Sequence, residues 1–289
     1  MKIKILIPLY NDWQSLLKLL ENINHQIDNA DMVFSILVVN DGSIEKIPQR
    51  FPDCSKFNSI KIMNLKNNIG HARCIATGLK YIMENDEFDY VIPMDSDGED
   101  RPEEIKDLIQ KTETNLELPV VCERIKRSEG TLFKLCYFFH KLITKTFTGK
   151  SIRFGNFTCL PKIIIKKMIE EKATWSSFSG ALSKISKDKI AVSSERGTRY
   201  FGPSKMSFKN LIVHSLSIIS VFKYNVLIRS ILFFFVYLFF IYEKISVITL
   251  IPLLLIIIFN LLVFVISRRE NLENYRKSDL NILDVKIVK

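Results

Sequence analysis

Two apolar runs near the end of the chain, residues 226–242 and 245–266, constrain the fold more than any other feature. Each is close to the roughly 20 residues a helix needs to cross a bilayer, and only Glu243 and Lys244 part them. Stretches such as 233–235, 239–241 and 253–259 are apolar on every side. They leave no polar face for water, which argues against the helices of a soluble core and for a transmembrane hairpin spanning 226–267. Arg229, at the start of the first run, can carry its charge out to the headgroups. Lys205, Lys209 and Lys223 precede the hairpin, Arg229 stands at its entrance, and Arg268, Arg269, Arg276 and Lys277 follow it. The positive-inside bias therefore makes an integral membrane protein with both termini in the cytoplasm. Residues 210–225, with Ser and His among large apolar side chains, read as a membrane-surface helix, and 268–289 as a cytoplasmic tail.

Residues 1–209 read as a domain of another kind. Short apolar runs at 3–10, 33–39, 60–65 and 90–94 have the length and composition of buried strands. Between them, 15–23 carries Leu16, Leu19, Leu20 and Ile23 on one stripe, and 72–83 is a second helical stretch. Strands and helices in alternation predict an α/β fold, a mostly parallel sheet with helices on both faces. Ligands of such sheets sit beyond the carboxyl ends of the strands, which directs attention to the loops after Ile7, Val39 and Met94. The five cysteines form no CxxC pair, which excludes a disulfide framework and structural zinc as organising elements.

Among 289 residues, 41 Lys and Arg face 31 Asp and Glu, a formal charge of +10. The excess is concentrated in residues 124–167, where Glu129 is the single acid among many bases. No nucleic-acid-binding module accompanies it, so the expected partner is an anionic membrane surface or a phosphorylated lipid.

The acidic turn Asp95-Ser96-Asp97-Gly98-Glu99-Asp100 follows the strand at 90–94. Carboxylates one residue apart at a strand end can share a hard cation, Mg2+ or Mn2+, with Gly98 permitting the tight turn. Asp95, Asp97 and Glu99 are the candidate metal and catalytic residues. His71 reads either as a phosphate contact or as a polar residue at a helix start.

In order along the chain stand Pro8-Leu9-Tyr10-Asn11-Asp12, Asn40-Asp41-Gly42-Ser43, Asn67-Asn68-Ile69-Gly70-His71 and Asp95-Ser96-Asp97. This series resembles the family 2 inverting glycosyltransferases of GT-A fold. Arg124 to Gly130, then Gly155-Asn156-Phe157, then Arg199-Tyr200-Phe201-Gly202-Pro203-Ser204-Lys205 are similar to the dolichyl/polyprenyl-phosphate sugar synthase branch. The resemblance implies a nucleotide-sugar donor at Pro8, Tyr10, Asp12, Asp41 and Asp95. It implies a divalent ion at Asp95 and Asp97, and phosphate contacts at Arg124, Arg127, Arg199, Ser204 and Lys205. The chain departs from the pattern at Asn40, in place of the first acid of Asp-Asp-Gly-Ser, at Glu99, in place of Gln, and at Asn156 and Thr158, in place of Asp and Arg.

The implied reaction moves one sugar from UDP- or GDP-hexose to undecaprenyl or another polyprenyl phosphate at the cytoplasmic face. A phosphate monoester is largely dianionic near neutrality, its second pKa being about 6, and attacks without a dedicated base. Two alternatives stand beside this reading: transfer to a hydroxyl of a lipid-linked or cell-surface glycan, and a non-catalytic membrane scaffold for glycan assembly. Self-association is left open.

Overall fold

A computed structural model describes residues 1–27, 32–126, 131–203 and 207–289, and all side chains in these ranges except those of 124–126, 131–137 and 208. The chain divides into two compact units. The first comprises Met1–Ser128, Arg153–Ser204 and Asn271–Lys289, and the second comprises Glu129–Ile152 and Lys205–Glu270.

The first unit begins with β1 (Lys2–Leu9), α1 (Trp13–Gln26), β2 (Val33–Asn40), β3 (Phe57–Leu65), α2 (His71–Asn85) and β4 (Tyr90–Pro93). The alternation expected from the apolar runs is present, with ends displaced by up to three residues, as at β3, which starts at Phe57 ahead of its apolar run. After α3 (Ile105–Thr112) and β5 (Val120–Lys126) the chain enters the second unit through α4 (Thr131–Thr148). It returns as β6 (Phe154–Pro161), α5 (Lys162–Glu170), α6 (Phe178–Ile185) and β7 (Ile190–Glu195). The sheet order is β7-β5-β6-β4-β1-β2-β3-β8, where β8 is Ile282–Ile287 near the end of the chain. Strands β4, β1, β2 and β3 run parallel, whereas β6 is antiparallel to β4 and β8 is antiparallel to β3.

Alternation of side chains along β1 divides the core. Ile3, Ile5, Ile7 and Leu9 join Leu16, Leu19, Leu20 and Ile23 of α1 and Ile105, Leu108 and Ile109 of α3. Leu6 points the other way, toward α2, where Gly78 makes a close approach possible. A Cβ built there would stand 2.4 Å from a Leu6 methyl and 3.1 Å from Val39.

The second unit contains α4 and three further helices, α7 (Phe208–Ser220), α8 (Lys223–Ile241) and α9 (Val247–Ser267). Ser246 and Thr249 form a reciprocal capping box at the start of α9. Helices α8 and α9 are long and apolar enough to cross a membrane, and most of their apolar side chains are exposed. Arg229 does more than reach outward: its Nη1 donates to the carbonyl of Thr146 at 2.9 Å, pinning α8 to the end of α4.

Two boundaries differ from the sequence reading. Residues 129–152 leave the first unit, and the segment read as a tail is structured. A short helix, α10 (Leu272–Arg276), places Tyr275, 1% exposed, against Trp175 at a ring separation of 5.5 Å. Beyond it β8 adds the outer strand, with Lys289 Nζ donating to the carbonyls of Cys54 and Ser55. Replacing Tyr275 with Ala should remove this anchor and lower stability by about 3 kcal/mol. Denaturant titration of purified protein, followed by Trp fluorescence, measures the loss, and limited proteolysis should then cut first within 271–289.

Candidate functional site

The parallel strands deliver three loops to one end of the sheet: residues 10–12 after β1, 41–43 after β2, and 94–101 after β4. Gly98, at φ +88°, lets the acidic turn reverse. Its conformation is fixed from within, because Glu99 N–H donates to Asp97 Oδ1 at 2.9 Å and Asp95 N–H donates to the buried Asp100 carboxylate at 3.0 Å. The turn therefore holds four carboxylates within six residues.

Cations meet these carboxylates from elsewhere in the chain. Arg199 Nη1 binds Asp97, and Arg199 Nη2 reaches Asp12 at 3.1 Å, so one guanidinium joins the loops after β1 and β4. Arg196 binds Glu99. His71 Nε2 lies 2.8 Å from Asp95 Oδ1. The segment carrying the two arginines is itself laid along the turn. Gly197 N–H donates to Glu99 O and Tyr200 N–H to Asp97 O, both at 2.9 Å. A Cβ at Gly98 would collide with the Tyr200 ring at 2.6 Å, and Asn22 of α1 holds the Tyr200 hydroxyl at 2.8 Å.

The titration behaviour follows from this crowding. Burial, then the neighbouring Asp95 charge, push Asp97 up to about 6, against the opposing pull of the Glu99 amide and Arg199. Burial disfavours the charged form of His71, but Asp95, Asp100 and Asp97 outweigh it and raise its pKa. The site is short of positive charge even with its own arginines in place. Asp95 and Asp97 are hard oxygen donors suited to Mg2+ or Mn2+. Among the described residues no three acidic, His or Cys side chains form a self-sufficient metal centre. A divalent ion here would complete its shell with phosphate oxygens and water, and the residues present fit that arrangement.

Asp12, the turn carrying Asp95, Asp97 and Glu99, and Arg199, three widely separated parts of the sequence, thus come together. Tyr10 stands exposed at the rim, and Pro8 is buried in β1 beneath it. Asp41 is 4% exposed, and its two oxygens accept from the amides of Ile69 at 2.7 Å and Gly70 at 2.9 Å. In this state it organises the turn that starts α2. Arg124 lies in β5, but its side chain is outside the described residues, as are Arg127, Ser204 and Lys205 entirely. Thr158 is fully buried in β6 with its hydroxyl on the Asn156 carbonyl.

Sequence reasoning gave no role in this cluster to Arg196 or Tyr200, and it named Asp100 in the acidic turn without assigning it one. The acid at 100 was visible within the turn. Nothing in local spacing connects Arg196 or Tyr200 to residues about a hundred positions earlier.

The glycosyl transferase family 2 model matches residues 4–163, which include the loops after β1, β2 and β4. An uncharacterised glycosyltransferase of Synechocystis is 25% identical over 213 residues, covering 73% of this chain and 66% of its own length. The uncharacterised glycosyltransferase YkcC of Bacillus subtilis is 26% identical over 225 residues, covering 76% and 68%. The chain thus spans about two thirds of the length of these relatives. Among solved structures, glucosyl-3-phosphoglycerate synthase of Mycobacterium tuberculosis, crystallised with Mn2+, UDP-glucose and phosphoglyceric acid, superposes with a TM-score of 0.55 at 13% identity. The alignment covers 78% of this chain and 79% of that one. Mannosyl-3-phosphoglycerate synthase of Rubrobacter xylanophilus gives a TM-score of 0.52 at 12% identity over 76% and 72% of the two chains. The fold is GT-A, and with its family model matching more than half of its length, the chain belongs to glycosyl transferase family 2.

Proposed function

We propose that the protein is a membrane-anchored inverting glycosyltransferase that moves one sugar from a nucleotide-sugar donor to polyprenyl phosphate, as in the polyprenyl-phosphate sugar synthase branch. The observation that carries this reading is the bridge from Arg199 to Asp97 and Asp12. It sets an arginine, the side chain best shaped to grip phosphate oxygens, at the edge of a carboxylate pair suited to a divalent ion. Two phosphorylated substrates, one donor and one acceptor, need that juxtaposition of opposite charges.

Asp95 and Asp97 would hold Mg2+ or Mn2+, which supplies positive charge to the leaving nucleoside diphosphate. His71 orients Asp95, the Asp100 carboxylate fixes the backbone behind it, and Asp41 keeps the 67–70 turn in place under the donor. Tyr10 and Asp12 line the donor side. Arg199 presents positive charge to the acceptor phosphate, a dianion that attacks the anomeric carbon directly, so inversion follows from a single displacement. Arg124, Arg127, Ser204 and Lys205 complete the phosphate contacts in this reading.

A polyprenyl acceptor stays in the bilayer, which gives the two apolar helices a purpose. The chain enters α8 and leaves α9 toward the same unit, since β6 and β7 precede the pair and β8 follows it in one sheet. If α8 and α9 span the membrane, the flanking Lys and Arg residues support a cytoplasmic location for the segments on either side of the pair.

Purified protein supplied with UDP- and GDP-hexoses and undecaprenyl phosphate should form a sugar-phosphate lipid with one donor. Product appearing only on a lipid-linked glycan hydroxyl would overturn the acceptor assignment. Asp97→Ala, or excess chelator, should reduce turnover at least a hundredfold while the protein stays folded. Arg199→Ala should raise the KM for polyprenyl phosphate roughly ten- to a hundredfold, the equivalent of about 1.5–3 kcal/mol for a lost charged hydrogen bond. A rise confined to the donor KM would assign the arginine to the nucleotide. In intact cells, an impermeant thiol reagent should label a cysteine placed at 243 or 244 and spare one near 97 or 277.

A further inference from the structure

The edge strand β8 sets a half-exposed carboxylate, Asp284, beside a pair of buried amides in the first unit. Asn40, Asn64 and Asp284 occupy matched positions on β2, β3 and β8, so their side chains lie side by side across the sheet. Asn64 Nδ2 donates to Asp284 Oδ1, and Asn40 Nδ2 donates to Asn64 Oδ1 at 2.8 Å. Asn40 Oδ1 in turn accepts from Ser43 N–H at 3.2 Å, and Ser43 Oγ accepts from Asn11 N–H at 2.9 Å. Asn11 Oδ1 takes the amides of Ile44 at 3.0 Å and Glu45 at 3.3 Å. Asn11 has φ +49°, the one positive value outside glycine among the described residues, a conformation that needs such support.

The directions of the Asn64 and Asn40 amides follow from the carboxylate at one end. A carboxylate only accepts hydrogen bonds, so Asn64 must turn its NH2 to Asp284 and its oxygen to Asn40. Asn40 must then offer its NH2 to Asn64, which frees its own oxygen for Ser43. Asn40 and Asn64 are 6% and 7% exposed, so water does not readily repair a reversed amide. Asp284 Oδ2 faces Lys286 Nζ at 3.9 Å, away from the relay. The arrangement also accounts for Asn40, the departure from Asp-Asp-Gly-Ser: with a carboxylate fixed at 284, a second one at 40 would face the Asn64 oxygen.

We propose that Asp284 is a positioning residue which, through Asn64 and Asn40, sets the loops 10–12 and 41–45 in the conformation that receives the nucleotide of the donor. Folding of the segment that follows the apolar helices is thereby a condition for a formed donor loop. Its purpose rests on the donor reading given above, but the relay itself can be tested without it.

The test is a carboxylate exchange. Asn40→Asp places acids at both ends of Asn64 and should break the relay. Asn40→Asp combined with Asp284→Asn reverses the polarity. The amide introduced at position 284 donates to Asn64, Asn64 donates to the carboxylate introduced at position 40, and that carboxylate still accepts from Ser43. Hydrogen exchange on purified full-length protein should show faster exchange of peptides covering 10–12 and 41–45 in Asn40→Asp, by tenfold or more. The double variant should restore it to within about threefold of wild type, with peptides in α3 unchanged throughout. UDP and GDP binding, measured in parallel by calorimetry, should weaken and recover in the same order. If Asn40→Asp unfolds globally, recovery of a wild-type melting temperature in the double variant, with slow loop exchange, carries the same support. A double variant no better than the single, or loops unaffected by Asn40→Asp, would overturn the relay. Loop exchange that follows the relay while binding of both nucleotides stays constant would support Asp284 as the residue setting the loops and overturn the donor assignment alone.

Discussion

Mutual repulsion among carboxylates is the constraint around which this end of the sheet is arranged. Asp95, Asp97, Glu99 and Asp100 share one turn, and Asp12 approaches from the next loop. Arg199, Arg196 and His71 all come in from distant parts of the chain to meet them. Even so, Asp97 is held up near 6, chiefly by burial and then by Asp95. Side chains packed this way are poor at stabilising a fold, because each buried charge must recover its lost hydration from a partner. They are well suited to receiving a further cation and, through it, the charge of a diphosphate.

The rest of the first unit serves to hold that turn still. Parallel strands β1, β2 and β4 bring three loops to one edge, and α1 and α2 pack on opposite faces behind them. Gly78 lets α2 settle on β1, while the Tyr200 ring covers Gly98 and is itself held by Asn22. The C-terminal segment completes the same framework. Its Tyr275 stacks on Trp175, and Asp284 orders the amides leading to Asn11. Under the proposed function, the helices that would bind the bilayer are bracketed by elements of one sheet, so anchoring and site formation are linked through the chain itself.

The fold class was legible because buried strands and amphipathic helices write their periodicity locally. The apolar pair α8 and α9 was legible for the same reason, every residue contributing to the signal. Strand β8 was not. Its sequence, Ile-Leu-Asp-Val-Lys-Ile, is short and one third polar, it lies at an edge, and backbone pairing with β3 is what makes it a strand. Residues 129–152 carry a helical pattern, but no pattern states which unit a helix joins.

For the site, the sequence by itself determined the acidic turn: alternating acids after a buried strand, with a glycine to reverse the chain, depend only on neighbours. The ordered series of motifs also raised the expectation, through a family resemblance, that Asp12, Asp41 and Arg199 serve one chemistry. Only the tertiary structure decided which charges meet. It joined Arg199 to both Asp97 and Asp12, gave Arg196 to Glu99, and turned Asp41 onto the amides of Ile69 and Gly70. It also placed the carboxylate of Asp284 beside Asn64, which in turn meets Asn40. Such pairings join residues tens to hundreds of positions apart, and their geometry is fixed by strand order and register, quantities that no local pattern of residues contains.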